Sequence, residues 1–159
     1  MANPYTVEKT EHGFVGRFQA MASPCELLMD LHDALLAQQF IHACYTEAKR
    51  IEQKFSRYVN TNFMFKLNNS HGNALELDDE SALLMDFAFT CYDMSDGLFD
   101  VTSGILRRAW KFDGSDQVPT KKQIEDLLPF IGLNKTTWQK PHFTLPKNME
   151  LDFGGIGKE

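Results

Sequence analysis

Cysteine is scarce in this chain. Cys25, Cys44 and Cys91 are its three copies, and no two form a C-x-x-C pair. That spacing excludes a zinc knuckle, and an odd count does not make a disulfide framework. All three sit in apolar surroundings and read as small buried hydrophobes. His42-Ala43-Cys44 lacks two further nearby ligands for a metal. Positive charge is also in deficit: the net charge is −6 over 159 residues. An acidic chain lacks the basic field that broad nucleic-acid binding requires, although a local pocket for one small anion stays open. No run approaches the roughly 20 apolar residues of a membrane span. The N-terminus, MANPYTVEKTEHGF, has no basic segment, no apolar segment and no lipobox-like cysteine. The chain therefore reads as soluble and cytoplasmic in this form, or periplasmic or membrane-anchored if an N-terminal signal has been removed. Internal repeats, low-complexity tracts and interdomain linkers are missing too.

Aromatics, by contrast, are plentiful. Phe occurs 13 times, and 43% of residues are hydrophobic. This suits one domain with an aromatic-rich core. Phe14 to Ala20 alternates as a strand, with Cys25 to His32 as its hairpin partner and the turn near Ser23-Pro24. Phe40, Ile41, Cys44, Ala48, Ile51, Phe55 and Tyr58 then recur every three or four residues, predicting a long helix with a buried stripe. A short turn over Phe63 to Leu67 precedes a polar loop, and Ala74 to Leu77 reads as a brief strand. Asp78 or Asp79 caps a helix that points Leu83, Leu84, Phe87, Cys91 and Met94 inward and stops at Ser95-Asp96-Gly97. Thr120 and Gln123 form a capping box for a helix through Leu128. Trp138, His142 to Leu145, and Met149 to Phe153 suggest strands. The class is α+β, with antiparallel strands packed against helices and no regular β-α-β alternation.

Two segments carry more than core or ordinary loop. Ser95 to Gly104 gathers acids, hydroxyls and glycines around Phe99. It reads either as a helix end followed by a cap at Asp100 or Thr102, or as a ligand loop. Leu151 to Glu159 runs a strand into Gly154-Gly155-Ile156-Gly157-Lys158. Such a turn lets phosphate approach backbone amides, with a lysine beside it; the alternative is an unspecialised glycine turn. A P-loop fails, because Asp152 and Glu159 stand where Gly and Ser or Thr are needed. Only the first half of a dinucleotide fingerprint is present, at Gly155-Ile156-Gly157.

Together these segments resemble the ApbE family of FAD:protein FMN transferases. Asp96-Gly97-Leu98-Phe99-Asp100-Val101-Thr102, followed by Trp110-Lys111-Phe112, resembles the family's DG-x-FD-x-T … W-x-F block. Leu151 to Lys158 resembles its LD-x-GG-I-x-K block. Ile51-Glu52 through Phe55-Ser56-Arg57-Tyr58, and Leu67-Asn68, are similar to the family's helix end and its Leu-Asn pair. Phe18-Gln19-Ala20-Met21 resembles the opening strand, but Ala22-Ser23 stands where the family commonly has Gly-Thr. The resemblance implies an ApbE-like, T-fold-like fold. It also implies that residues 1–159 are the N-terminal part of one transferase domain, truncated at Glu159. FAD contacts would fall on Met21, Tyr58, Leu98, Phe99, Asp100, Asp152 and Lys158. Gly155 would present a backbone carbonyl to Mg²⁺, and the remaining metal ligands would come later than Glu159. No catalytic residue is identified. The implied reaction is Mg²⁺-dependent transfer of FMN from FAD to a Ser or Thr hydroxyl of a target flavoprotein subunit, releasing AMP. A homodimer is one candidate assembly, and nucleic acid is not an expected partner. The alternatives are a relative that binds or hydrolyses FAD without modifying a protein, and a structural domain whose glycine turn and acidic loop are merely caps.

Overall fold

In the computed structural model, residues 3–110, 114 and 116–157 are described. The chain divides into two compact units, Met1–Ser56 and Arg57–Glu159.

The first unit is an antiparallel meander covered by one helix. Its strands are β1 (Tyr5–Thr10), β2 (Gly13–Ala20) and β3 (Ser23–Met29), and its helix is α1 (Ala34–Phe55). Phe14, Gly16, Phe18 and Ala20 alternate toward the helix, as period-2 patterning requires. Pro24 lies on the edge strand β3, where its missing N–H is tolerated. A Cβ at Gly16 would come within 2.4 Å of Ile41 Cδ1, so only glycine allows α1 to sit this close to the sheet. Phe14, Met29 and Ala37 form the buried centre, and Tyr45 packs edge-on against Phe18 with ring centroids 5.8 Å apart. Asp33 caps α1 by accepting from the amides of Leu35 and Leu36. The helix therefore starts before the apolar stripe does and ends at Phe55, short of Tyr58. Of that stripe, Ile41 and Phe55 are buried, whereas Phe40 and Cys44 are exposed. Cys25 and Cys91 are half-buried, so none of the cysteines is the fully buried hydrophobe expected.

The second unit packs helices around a small sheet of order β4-β6-β5, with β4 (Ala74–Glu76), β5 (Thr137–Gln139) and β6 (His142–Thr144). Its helices are α2 (Phe63–Asn68), α3 (Asp79–Met94), a 3-10 helix at Val101–Arg108 and α4 (Lys121–Glu125). Asn62, Asp78 and Thr120 cap α2, α3 and α4, and the capping box of Thr120 with Gln123 is complete. Beyond α4, Pro129 falls in a separate 3-10 turn, Leu128–Phe130, instead of a continued helix. Met64, Leu67, Met85, Ile105, Leu133, Phe143, Leu151 and Phe153 form the fully buried centre. The inward face of α3 differs from expectation. Ser81, Ala82, Met85 and Ala88 are buried, while Leu83, Phe87 and Met94 are exposed. Both faces of α3 carry apolar residues, and the face with Ser81, Ala82, Met85 and Ala88 meets the core. Residues 149–153 form no strand of either sheet. The architecture is α+β and antiparallel throughout. No helix among the described residues is long and apolar enough to cross a membrane.

Candidate functional site

The site is built where two segments about fifty residues apart in sequence meet. Helix α3 ends with Asp96 and Gly97 both in the left-handed region, φ 51° and 77°, and the Gly97 amide donates back to Tyr92 O. This turn releases Leu98 into solvent, 91% exposed. Ser95 Oγ then accepts from the Phe99 amide at 2.8 Å and sets that residue's backbone.

Asp100 follows as the N-cap of the 3-10 helix Val101–Arg108. One carboxylate oxygen accepts from Thr102 N at 2.8 Å and Thr102 Oγ1 at 2.6 Å, and the other from Leu133 N at 3.0 Å. Buried Thr102 Oγ1 in turn accepts from Gly132 N at 2.8 Å. Asp100 thus clips the 3-10 helix to the 132–133 segment. Of about four lone-pair positions on a carboxylate, three are already taken within the chain. The cap reading of this aspartate holds, and about one lone-pair position stays available to a further donor.

The second segment, residues 149–153, belongs to no strand and is largely buried. Met149, Leu151 and Phe153 face the core. Its backbone is held by the side chain of Asn68, which donates to Leu151 O at 3.0 Å and accepts from Leu151 N at 2.7 Å. A side-chain amide thereby replaces a neighbouring strand. Glu150, 7% exposed, is clasped by Arg107 and Arg108 from the end of the 3-10 helix. Asp152 donates its amide to Val101 O at 2.9 Å, which joins the two segments directly. A Cβ at Gly104 would lie 2.4 Å from Asp152 Cβ, so glycine is needed for that contact.

The Asp152 carboxylate has two partners. One oxygen accepts from Gly154 N at 2.9 Å, and the other pairs with Arg57 Nη1. Arg57 Nη2 also donates to Tyr58 Oη at 2.8 Å, and its guanidinium carbon lies 5.0 Å from the Tyr58 ring centroid. Burial works against the Arg57 charge. The bond to Tyr58 and the field and bond of Asp152 outweigh it, and the guanidinium pKa is raised.

The glycine turn departs from a phosphate cradle. Gly154 N is bonded to Asp152, and the amides of Ile156 and Gly157 both donate to Phe153 O. Three of its amides are therefore committed within the chain. Gly155 is exposed, and a Cβ there would come within 3.2 Å of the Phe99 ring. The structure thus brings Tyr58, Phe99, Asp100, Asp152 and Gly155 into one connected network. Met21 belongs to the first unit, in the turn between β2 and β3, where its amide donates to Glu52 Oε1 at 3.0 Å. Lys158, Lys111 and Phe112 lie outside the described residues. Among the described residues, no group of three or more His, Cys, Asp or Glu side chains could hold a metal. The Gly155 carbonyl alone does not make a magnesium site. The network also recruits Arg57, Asn68, Gly104 and Glu150, to which the sequence assigned no role. Arg57 and Asn68 each stand within a family-like motif, and that is the signal that could have found them.

A profile of the ApbE family matches residues 21–159. The chain belongs to the ApbE family. Among solved structures it is similar to the ApbE protein of Thermotoga maritima, with a TM-score of 0.74 and 25% identity over 97% of this chain and 48% of that one. It is also similar to the flavinyl transferase ApbE of Pseudomonas stutzeri, with a TM-score of 0.66 and 17% identity over 96% and 47% of the two chains. For the flavin transferase ApbE of Vibrio cholerae the TM-score is 0.67, at 16% identity over 97% and 48%. At 16–17% identity the last two show the fold alone. The chain spans about half the length of each of these structures. No curated protein matches it.

Proposed function

We propose that this ApbE-family chain contributes the flavin-holding half of an FAD:protein FMN transferase. One observation supports the reading: Asp152 N bonds to Val101 O, so the family's two motif segments lie side by side. In the proposed reaction, a Ser or Thr oxygen of a target flavoprotein attacks the FMN phosphorus of FAD. The bond from that phosphorus to the AMP-side oxygen breaks and AMP leaves. The hydroxyl proton is lost, and FMN remains as a phosphoester on the target.

The roles of this chain's residues are binding and orientation. Tyr58, 80% exposed, and Leu98 offer apolar surface suited to a planar ring system. Phe99 backs the glycine turn at Gly155, and the Arg57–Asp152 pair fixes that turn through Gly154 N. Fixing these groups before the ligand arrives reduces the ordering cost of binding.

The test uses a protein carrying this chain at the relatives' full length. It is incubated with FAD and candidate acceptor proteins, with and without Mg²⁺, and resolved on a denaturing gel under ultraviolet light. Covalent flavin fluorescence on the acceptor, with AMP release, is the expected result. AMP with free FMN and no labelled protein would mean FAD hydrolysis instead. Neither product across several acceptors would remove the proposal.

A further inference from the structure

Arg57 has a place in the site that neither the family motif nor the comparisons assign. Its guanidinium makes three contacts at once: an ion pair with Asp152, a hydrogen bond to Tyr58 Oη, and the cation over the Tyr58 ring. The two residues it joins differ sharply in exposure. Asp152 is fixed by its backbone bond to Val101, by the Gly154 amide and by its contact at Gly104. Its side chain is 18% exposed and that of Arg57 is 25% exposed. Tyr58 is 80% exposed, and an exposed side chain ordinarily samples several rotamers. Arg57 thus links a held carboxylate to an exposed ring.

We propose that Arg57 is a positioning residue of the flavin site, a forked strap that transmits the fixed geometry of Asp152 to the ring of Tyr58. The inference rests on the flavin reading above. The geometry requires arginine in particular. One edge of the planar fork meets the carboxylate, another meets the phenol oxygen, and the plane itself lies near the ring. A lysine at 57 keeps the charge but presents a point donor that cannot make both bonds and lie near the ring together. A held Tyr58 gives a planar ligand a surface whose ordering cost is already met.

The test compares Arg57→Lys, Arg57→Gln and Asp152→Asn in the 159-residue chain. The first readout needs no flavin: the ring resonances of Tyr58, assigned by difference with Tyr58→Phe. All three substitutions are expected to shift these signals toward averaged, mobile values, including Asp152→Asn, which acts through Arg57. The second readout is FAD affinity by fluorescence quenching. Arg57→Gln is expected to weaken it about tenfold, as loss of a charged hydrogen-bond partner does. Arg57→Lys should be equally defective, and the Arg57→Gln/Asp152→Asn double variant should be weaker by less than the product of the single effects. Unchanged Tyr58 signals in Arg57→Gln, or wild-type behaviour of Arg57→Lys, would overturn the inference. Tyr58 signals that respond to all three substitutions in a chain that binds no FAD would uphold the ordering role and sink the flavin reading alone. Matching thermal midpoints show that the variants are folded.

Discussion

Asn68 and Leu151, 83 residues apart, pair through two hydrogen bonds in opposite directions, at 2.7 and 3.0 Å. The amide side chain presents a donor and an acceptor side by side, as a strand residue would. It thereby satisfies the backbone of a buried leucine that no strand flanks. Asn68→Ala leaves the Leu151 N–H and C=O without these partners, and should lower the unfolding free energy by about 1–3 kcal/mol. Urea denaturation checks this. A change within error would mean that water takes over both bonds and that Asn68 does not hold the segment.

Gly104 is the second point where the two segments are locked. An added methyl would sit 2.4 Å from Asp152 Cβ, well inside contact distance. Gly104→Ala should force the 3-10 helix and the 151–153 segment apart, at a cost of about 1–3 kcal/mol. The amide of Asp152, bonded to Val101 O, should then exchange with solvent faster. Hydrogen-exchange rates at that amide report the separation directly, and unaltered protection would show that the contact relaxes elsewhere.

Met21 and Ala22 form the two-residue turn between β2 and β3, and both lie in the left-handed region, at φ 51° and 56°. A two-residue hairpin of this kind favours glycine, and an L-residue in that region costs about 1–2 kcal/mol. Ala22→Gly relieves this, offset in part by the greater freedom of glycine in the unfolded chain. The net expectation is a rise in the thermal midpoint, read by calorimetry. A fall would show that Ala22 is not strained where the family commonly carries glycine.

Asp86 on α3 joins the small sheet by accepting from Lys140 Nζ at 2.8 Å and Trp138 Nε1 at 2.7 Å. The Lys140 bond first, then that of Trp138, lowers the Asp86 pKa from its ordinary 3.8. A depressed carboxylate stabilises the fold above its unfolded-state value, and the benefit disappears as pH falls through the folded-state value. The stability difference between wild type and Asp86→Asn should therefore be constant near neutral pH and shrink as pH falls toward and below 3.8. Urea midpoints of both proteins across the acid range test the sign; a difference that grows on acidification would contradict it.

Local patterning carried the fold a long way. The β2–β3 hairpin, the Asp78 and Thr120 caps and the turn at Gly97 were all legible, because each depends on residues within a few positions. Strand β1 was not: most of Tyr5–Thr10 is exposed, so its hydrophobic alternation is weak. The orientation of α3 was not legible either. A helix with Leu83, Phe87 and Met94 on one side and Ala82, Met85 and Ala88 on the other does not announce which side meets the core. The site divides in the same way. Asp100 and Asp152 stand in recognisable motifs, but Arg57 reaches its partner across 95 residues and Asn68 across 83. Their roles exist only once the chain has folded.

The clasp on Glu150 has a consequence for charge. Along residues 150–152, two carboxylates face three guanidinium groups, those of Arg57, Arg107 and Arg108, a local surplus of one positive charge. The chain as a whole carries −6. At physiological ionic strength, screening limits the reach of each exposed charge to about 8 Å. Counted over residues 150–152 and their ion-pair partners alone, the segment is positive by one in a chain that is acidic on average, and salt weakens the reach of the remaining acidic surface to it.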